Sequence, residues 1–154
     1  MISNEYIAGF FDGEGCIDIR YQVRGRYNRF ELRCTISQVY RKPLDMIKEV
    51  FGGSISPRKN GNIHYYVVSG PSANTLLEAI RPHLIVKADE ADVALEFFRI
   101  SRISKANMHI PGQHRIAKES PETRDKKILC FKKIRQLRAD KGLASKARKE
   151  HNFG

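Results

Sequence analysis

The sequence has no tryptophan, only three cysteines, and no run of about 18 apolar residues, so nothing in it spells a transmembrane helix. The cysteines, Cys16, Cys34 and Cys130, are odd in number and form no CxxC pair. That argues against both a disulfide framework and a zinc finger. The five histidines (His64, His83, His109, His114 and His151) are scattered and form no HExxH motif. Acid is the scarcer charge: 17 Asp and Glu stand against 28 Lys and Arg, a net charge of +11. Such an excess favours a polyanionic partner, nucleic acid first and an anionic membrane surface second. The opening segment MISNEYIAGFFDGEG lacks a basic stretch and its apolar run is broken by acids, unlike a signal peptide. Together with the few cysteines, this predicts a reducing, intracellular setting.

What is present is ordinary globular material. With 154 residues, 41% hydrophobic and 29% charged, the chain reads as a single soluble unit. A domain of this size buries roughly 70% of the surface its unfolded form exposes. Residues 1–141 are expected to form one domain and residues 142–154 a basic, mobile tail.

Ser3 can cap a helix from Asn4 to about Asp12, ended by Gly13 and Gly15. Residues 16–23 alternate as a half-buried strand, with Cys16, Ile17 and Ile19 assigned inward and Asp18, Arg20 and Gln22 outward. A long basic hairpin loop is expected over 24–29. Residues 30–39 alternate again, with Phe30, Leu32, Cys34 and Ile36 opposite Glu31, Arg33, Thr35 and Ser37. Pro43 opens a second helix, stopped by Gly52–Gly53. Ser54–Ser56 and Ile63–Ser69 form a second hairpin around an Asn-Gly turn. Helices follow at 72–80, at 89–103 and from Ser120–Pro121 onward, with a loop through Pro111–Gly112 between the last two. The expected architecture is α+β: an αββαββα core, a four-stranded antiparallel sheet with helices on one face, and additional C-terminal helices. The other face, carrying Arg20, Arg33 and Arg58, is left open, and a basic β-ribbon suits the major groove of DNA.

The most specific segment is Ile7-Ala8-Gly9-Phe10-Phe11-Asp12-Gly13-Glu14-Gly15. Gly9 and Gly13 lie one helical turn apart, and each costs about 1 kcal/mol against alanine. Such a cost is tolerated where another backbone must approach closely. Asp12 and Glu14 sit at the negative end of the helix dipole, where carboxylates are disfavoured and a cation would relieve them. Small-residue helix packing and an acid pair awaiting a metal are both consistent with this pattern. So is a sharp helix stop with solvated acids.

IAGFFDGEG resembles the signature of the LAGLIDADG homing endonucleases. Thr35-Ile36-Ser37-Gln38, with the helix ending at Phe51-Gly52-Gly53, resembles the family's second strand, its polar active-site position and its next helix. Arg81-Pro82-His83-Leu84-Ile85-Val86-Lys87 resembles its basic segment, and Ala117-Lys118-Glu119-Ser120-Pro121 is similar to single-motif members. A single signature implies the homodimeric class.

The resemblance implies a site-specific, metal-dependent nuclease cutting both strands of a long, near-palindromic DNA site. Glu14 would bind Mg²⁺, with the Gly13 carbonyl on the same cation; Mn²⁺ or Ca²⁺ would substitute for binding. Gln38 would sit near the attacking water or a metal-bound water, Lys87 would be the basic residue near the scissile phosphate, and Lys42 would be a weaker candidate for a second basic group. Ala8, Gly9, Gly13 and Asp12 would lie at the dimer interface, with Asp12 also structural at the helix end. Glu14 departs from the aspartate that the family name spells, though Glu is equally a hard oxygen ligand. The DNA-facing set would be Asp18, Arg20, Gln22, Arg24, Arg26, Arg29, Arg33, Thr35, Ser37, Ser54, Ser56, Arg58 and Lys59. For 63–69 either His64 and Tyr66 or Tyr65 and Val67 would face DNA. The expected partners are double-stranded DNA and a second copy of the chain, with no membrane and no small-molecule substrate. Competing readings are an inactive DNA- or RNA-binding descendant, such as an intron maturase or regulator, and a basic ribosomal-type RNA-binding protein. The last leaves the signature unexplained.

Overall fold

The computed structural model describes residues 1–24, 27–58, 60–108 and 119–151, with side chains described except at 24, 27–28, 105–108 and 143–151. The expected contributions of Arg26, Lys59, Pro111–Gly112, Ala117 and Lys118, and of the Arg24 side chain, fall outside these.

Helix α1 (Asn4–Glu14) begins where the Ser3 hydroxyl accepts the Tyr6 amide at 3.2 Å. It runs two residues further than the expected stop at Asp12. Strands β1 (Gly15–Arg24) and β2 (Tyr27–Gln38) pair antiparallel up to Arg24 opposite Tyr27. The hairpin connection is therefore much shorter than the 24–29 loop read from its basic composition, because Tyr27, Asn28 and Arg29 join the ladder.

Helix α2 (Lys42–Phe51) carries its proline in the first turn, where a missing N–H costs nothing. It ends at Gly52 and Gly53, both at positive φ (74° and 90°). A Cβ on Gly53 would lie 2.5 Å from the Val67 carbonyl oxygen, so only glycine fits that crossing. Strands β3 (Ser54–Pro57) and β4 (His64–Ser69) complete one sheet of order β1-β2-β4-β3, every neighbouring pair antiparallel. Helix α3 (Gly70–Ile80), a 3₁₀ turn (Arg81–His83), α4 (Ala88–Met108) and α5 (Pro121–His151) follow. Helix α5 starts at the expected Ser120 cap, whose hydroxyl accepts the Thr123 amide, and continues through Gly142.

The register sorts the sheet into two faces. Ile17, Ile19, Leu32, Cys34, Ile36, Tyr66 and Val68 are buried against Ile7, Phe11, Leu44, Ile47, Leu76, Leu77, Ile80, Phe97 and Ile134 from the helices. Burying a single Leu or Ile side chain contributes about 2 kcal/mol, so this layer is what fixes the sheet on the helices. The opposite face presents Cys16, Asp18, Arg20, Gln22, Glu31, Arg33, Thr35, Ser37, Ser54, Ser56, Tyr65 and Val67. Two assignments follow. Cys16 belongs with Asp18 on the open face, not with Ile17, because side chains alternate strictly along a strand. In β4 it is Tyr65 and Val67 that share the open face. Tyr66 is fully buried, and its hydroxyl donates to the Gly52 carbonyl at 2.9 Å.

Candidate nuclease site

The end of α1 meets the segment that follows the 3₁₀ turn. Asp12 sits in the last turn of α1, and its carboxylate accepts three consecutive backbone amides. The amides of Ile85 (2.8 Å) and Val86 (3.1 Å) donate to one oxygen, and that of Lys87 (3.0 Å) to the other. The Lys87 ammonium in turn donates to the Asp12 backbone carbonyl. Burial pushes the Asp12 carboxyl up, but these amides and the Lys87 charge outweigh it and hold its pKa below 3.8. Burial also pulls the half-buried Lys87 below its ordinary value, against the upward pull of Asp12 and Glu90, with Lys141 adding to the fall. Asp12 thus fastens the basic segment to the signature helix. Its carboxylate is spent on amides of its own chain.

Glu14 lies two residues further on. It is exposed and has no hydrogen-bond or ion-pair partner among the described residues. The Gly15 amide closes back onto the Phe11 carbonyl, and the Asp12 carbonyl takes Lys87, which leaves the Gly13 carbonyl at the helix end without a partner among the described residues. A free carboxylate and a free carbonyl at the negative pole of a helix are hard oxygen donors, the set that suits Mg²⁺. No cluster of three or more His, Cys, Asp or Glu side chains occurs among the described residues. Mg²⁺ is commonly held by one or two carboxylates together with substrate phosphate and water, so the donors present fit that ion.

The exposed stripe of α1 differs from the expected one at two positions, Ala8 and Asp12, the latter partly buried with its carboxylate bonded to residues 85–87. Tyr6, Gly9 and Gly13 face outward with Phe10 beside them, and Tyr6 and Phe10 stack with centroids 6.1 Å apart. Ala8 is fully buried among the core residues of its own chain. At about 100° per residue it follows Ile7 and precedes Phe11 on the inner face, so it does not belong to an outward-facing surface. A Cβ placed on Gly9 or Gly13 would meet nothing within 4 Å. The chain's own packing therefore does not require either glycine.

Gln38 ends β2 opposite His64, and its Oε1 accepts the Val39 amide at 2.7 Å. Lys42 is exposed in the first turn of α2. Among the described residues neither is bonded to Asp12, Glu14 or Lys87, so the structure unites only the α1 end with the Lys87 segment.

The open sheet face is partly organised by its own contacts. Arg33 donates to the Tyr65 hydroxyl at 3.0 Å, and Arg58 stacks on the same ring at 4.4 Å from its centroid. Gln22 and Arg29 both bond Glu31, at 3.1 and 3.2 Å. Asp18 is paired with Arg138 of α5 at 2.6 Å, a partner 120 residues away. Arg20, Arg33 and Arg58 have no carboxylate partner among the described residues, which leaves a net cationic surface. Sequence reasoning missed Tyr65 as an organiser of this face. Its aromatic character was visible, but the strand's parity was not.

No helix among the described residues is long and apolar enough to cross a membrane. The family model described as LAGLIDADG endonuclease matches residues 7–87, more than half of the chain. The DNA endonuclease I-CvuI of Chlorella vulgaris is 29% identical over 101 residues, which are 61% of this chain and 62% of that protein. The chain thus spans less than two thirds of that relative's length in the matched region. The solved structure of I-CvuI in complex with DNA in the presence of Mg superposes with a TM-score of 0.58 at 24% identity, covering 85% of this chain and 93% of that one. An archaeal intron-encoded homing endonuclease, I-Vdi141I complexed with DNA, gives a TM-score of 0.68 at 20% identity over 87% of this chain and 82% of its own. These structural likenesses carry the fold, and the sequence match carries the lineage. With one signature segment at Ile7–Gly15, the chain belongs to the LAGLIDADG endonuclease family in its single-motif form.

Proposed function

We propose that the protein is a site-specific DNA endonuclease that acts as a homodimer and uses Mg²⁺. The observation that carries this reading is the Glu14 carboxylate, exposed and unpartnered among the described residues at the end of the helix to which Asp12 ties Lys87. A solvated stop signal needs no such tie. Three charge-assisted amide bonds fasten the segment of a half-buried lysine to the helix whose last residue is an acid unpartnered among the described residues, an arrangement suited to phosphodiester chemistry.

Glu14 and the Gly13 carbonyl would hold the cation. When bound, the ion supplies charge stabilisation and a lowered pKa for its water. Lys87 contributes a fixed positive charge for the phosphoryl oxygens, whose negative charge grows in the transition state. Its desolvation strengthens that interaction relative to one in bulk water. Gln38 has its amide nitrogen available to donate to a water, since its oxygen is taken by Val39.

One chain supplies one Glu14, and cutting two strands needs two. The stripe of Tyr6, Gly9 and Gly13 is the surface on which a second copy would pack, because an isologous contact through small residues lets two helix backbones approach. The open sheet face would lie along the DNA, with Arg20, Arg33 and Arg58 among the contacts. Arginine reads guanine bidentately in the major groove, while the remaining cations hold phosphate. I-CvuI was crystallised with its target in the presence of Ca, which accords with a divalent-cation requirement.

The test is selection of cleaved sequences from a random duplex library in Mg²⁺, with sedimentation of the free protein. The expected result is one long, near-palindromic site cut on both strands by a dimer. Specific binding with no cleavage at any divalent cation tested would overturn the nuclease reading and leave a DNA-binding descendant. Preferential retention of structured RNA over duplex would favour a maturase.

A further inference from the structure

We propose that Lys141 of α5, held by the buried Glu90 of α4, is a positioning residue for Lys87; as a statement about catalysis this rests on the nuclease reading above. Asp12 takes the three amides of the 85–87 segment and leaves the Val86 carbonyl to another partner. The Lys141 ammonium donates to that carbonyl. The same ammonium pairs with Glu90 at 2.6 Å. Glu90 has only 4% of its side chain exposed, and an acid so buried is kept only where a partner compensates its charge. Glu90 lies three residues after Lys87, in the first turn of α4. The segment carrying Lys87 is thus clamped from two sides: α1 takes three of its amides, and α5 takes the carbonyl between two of them.

The groups around Lys87 support the same arrangement. Asp12 and Glu90 favour its charged form, and Lys141 and burial oppose it. Lys141 is therefore close enough for its charge to be felt at Lys87, while its own hydrogen bonds are directed at the backbone and at Glu90. One turn earlier on α5, Arg138 pairs with Asp18 on the open sheet face. Residues three apart lie on one side of a helix, so a single turn of α5 holds both the first recognition strand and the Lys87 segment. Displacement of a reacting group by about 1 Å can cost a hundredfold in rate, which gives such a clamp a purpose.

The experiment compares wild type with Lys141→Ala, Lys141→Arg, and the double variant Glu90→Gln with Lys141→Ala, which removes both charges and leaves no buried acid unpaired. Three quantities are read: amide hydrogen exchange at Ile85, Val86 and Lys87 in the free protein, the single-turnover cleavage rate, and the dissociation constant for the selected DNA in Ca²⁺. Loss of the clamp is expected to speed exchange at these amides at least tenfold. It should slow cleavage tenfold to a hundredfold while changing the dissociation constant less than threefold. Lys141→Arg should recover most of both losses. Unchanged exchange and unchanged rate in the folded double variant would overturn the proposal. So would a fall in affinity that accounts for the whole loss of activity, since Lys141 would then be a phosphate contact. If exchange responds but wild type cuts no DNA, the clamp stands and the nuclease reading fails.

Discussion

Asp12 and Lys87, 75 residues apart in sequence, are bonded in both directions. The Lys87 amide donates to the Asp12 carboxylate at 3.0 Å, and the Lys87 ammonium donates to the Asp12 backbone carbonyl. The acid of the signature and the downstream lysine therefore form one unit, from which Glu14 projects.

Asp12→Asn should weaken that unit. Hydrogen bonds to a charged group are each worth about 1.5–3 kcal/mol, and asparagine keeps one acceptor oxygen of two. At neutral pH the expected loss of stability is about 2 kcal/mol by denaturant unfolding. The folded pKa of Asp12 lies below its ordinary 3.8, so its contribution is full above that value. It is lost as pH falls through the lower, folded value. Wild type and Asp12→Asn should converge in stability on acidification below that folded value. A gap that stayed constant from neutral to acid would contradict this account.

Glu14→Gln should separate cutting from binding. The side chain is exposed and unpaired, so the variant should fold as wild type does. Cleavage in Mg²⁺ is expected to fall by several orders of magnitude while binding in Ca²⁺ persists. Binding without metal should tighten, because two like charges near the scissile phosphates disappear. Lys87→Ala should slow cleavage less severely, since it removes charge stabilisation and leaves the cation's ligands. Near wild-type cutting by Glu14→Gln would move the metal role elsewhere on the chain.

Glycines of the signature should respond in opposite ways. Gly9→Leu meets nothing in its own chain and replaces a poor helix former, so thermal stability of the isolated chain should hold or rise. Sedimentation should show a dimer converted to monomer. Gly15→Ala places a Cβ 2.6 Å from the Phe11 ring and should cost about 1–3 kcal/mol without a selective effect on association. An unaltered dimer in Gly9→Leu would rule out α1 as the interface.

The open face should show two classes of cation. Arg33→Ala and Tyr65→Phe both disturb the Arg33–Tyr65 bond, and each should relax preference at the same base pair. Arg20→Ala should relax it elsewhere. Overall affinity should fall with log salt at about −0.9 per phosphate neutralised. Uniform weakening across all sequences by Arg33→Ala would show that it contacts phosphate only.

Element order and the two faces of β1 and β2 were legible from alternation, because apolar residues at every second position leave one solution, except at Cys16, whose small apolar side chain was drawn inward with Ile17 although it pairs with Thr35 on the open face. Strand β4 resisted, since His64, Tyr65, Tyr66, Val67 and Val68 offer usable side chains on both parities. The pairing of Ile36 with Tyr66 decided it. Ala8 was misassigned because small residues suit both a core and an interface, and only the position of Ile7 and Phe11 separates the two. The grip of Asp12 on residues 85–87, the pairing of Asp18 with Arg138, and that of Glu90 with Lys141 had no local signal. They join positions that only the folded chain brings together, and a lone Asp, Arg or Lys looks the same whether solvated or clamped.

The strand order places β1 and β3 at the rims of the sheet, where unpaired backbone groups invite pairing with other chains. The two rims are protected differently. β3 is four residues long and ends at Pro57, too short and too poor in donors to template another strand. β1 is ten residues long, and α5 lies along it, reaching Tyr21 through Arg124 and Asp18 through Arg138. The helix thereby acts as a guard against edge-to-edge aggregation. Without α5 docked, β1 would present an open ten-residue edge, so the protection of this rim rests on a segment more than 100 residues away from the α1 signature in the chain.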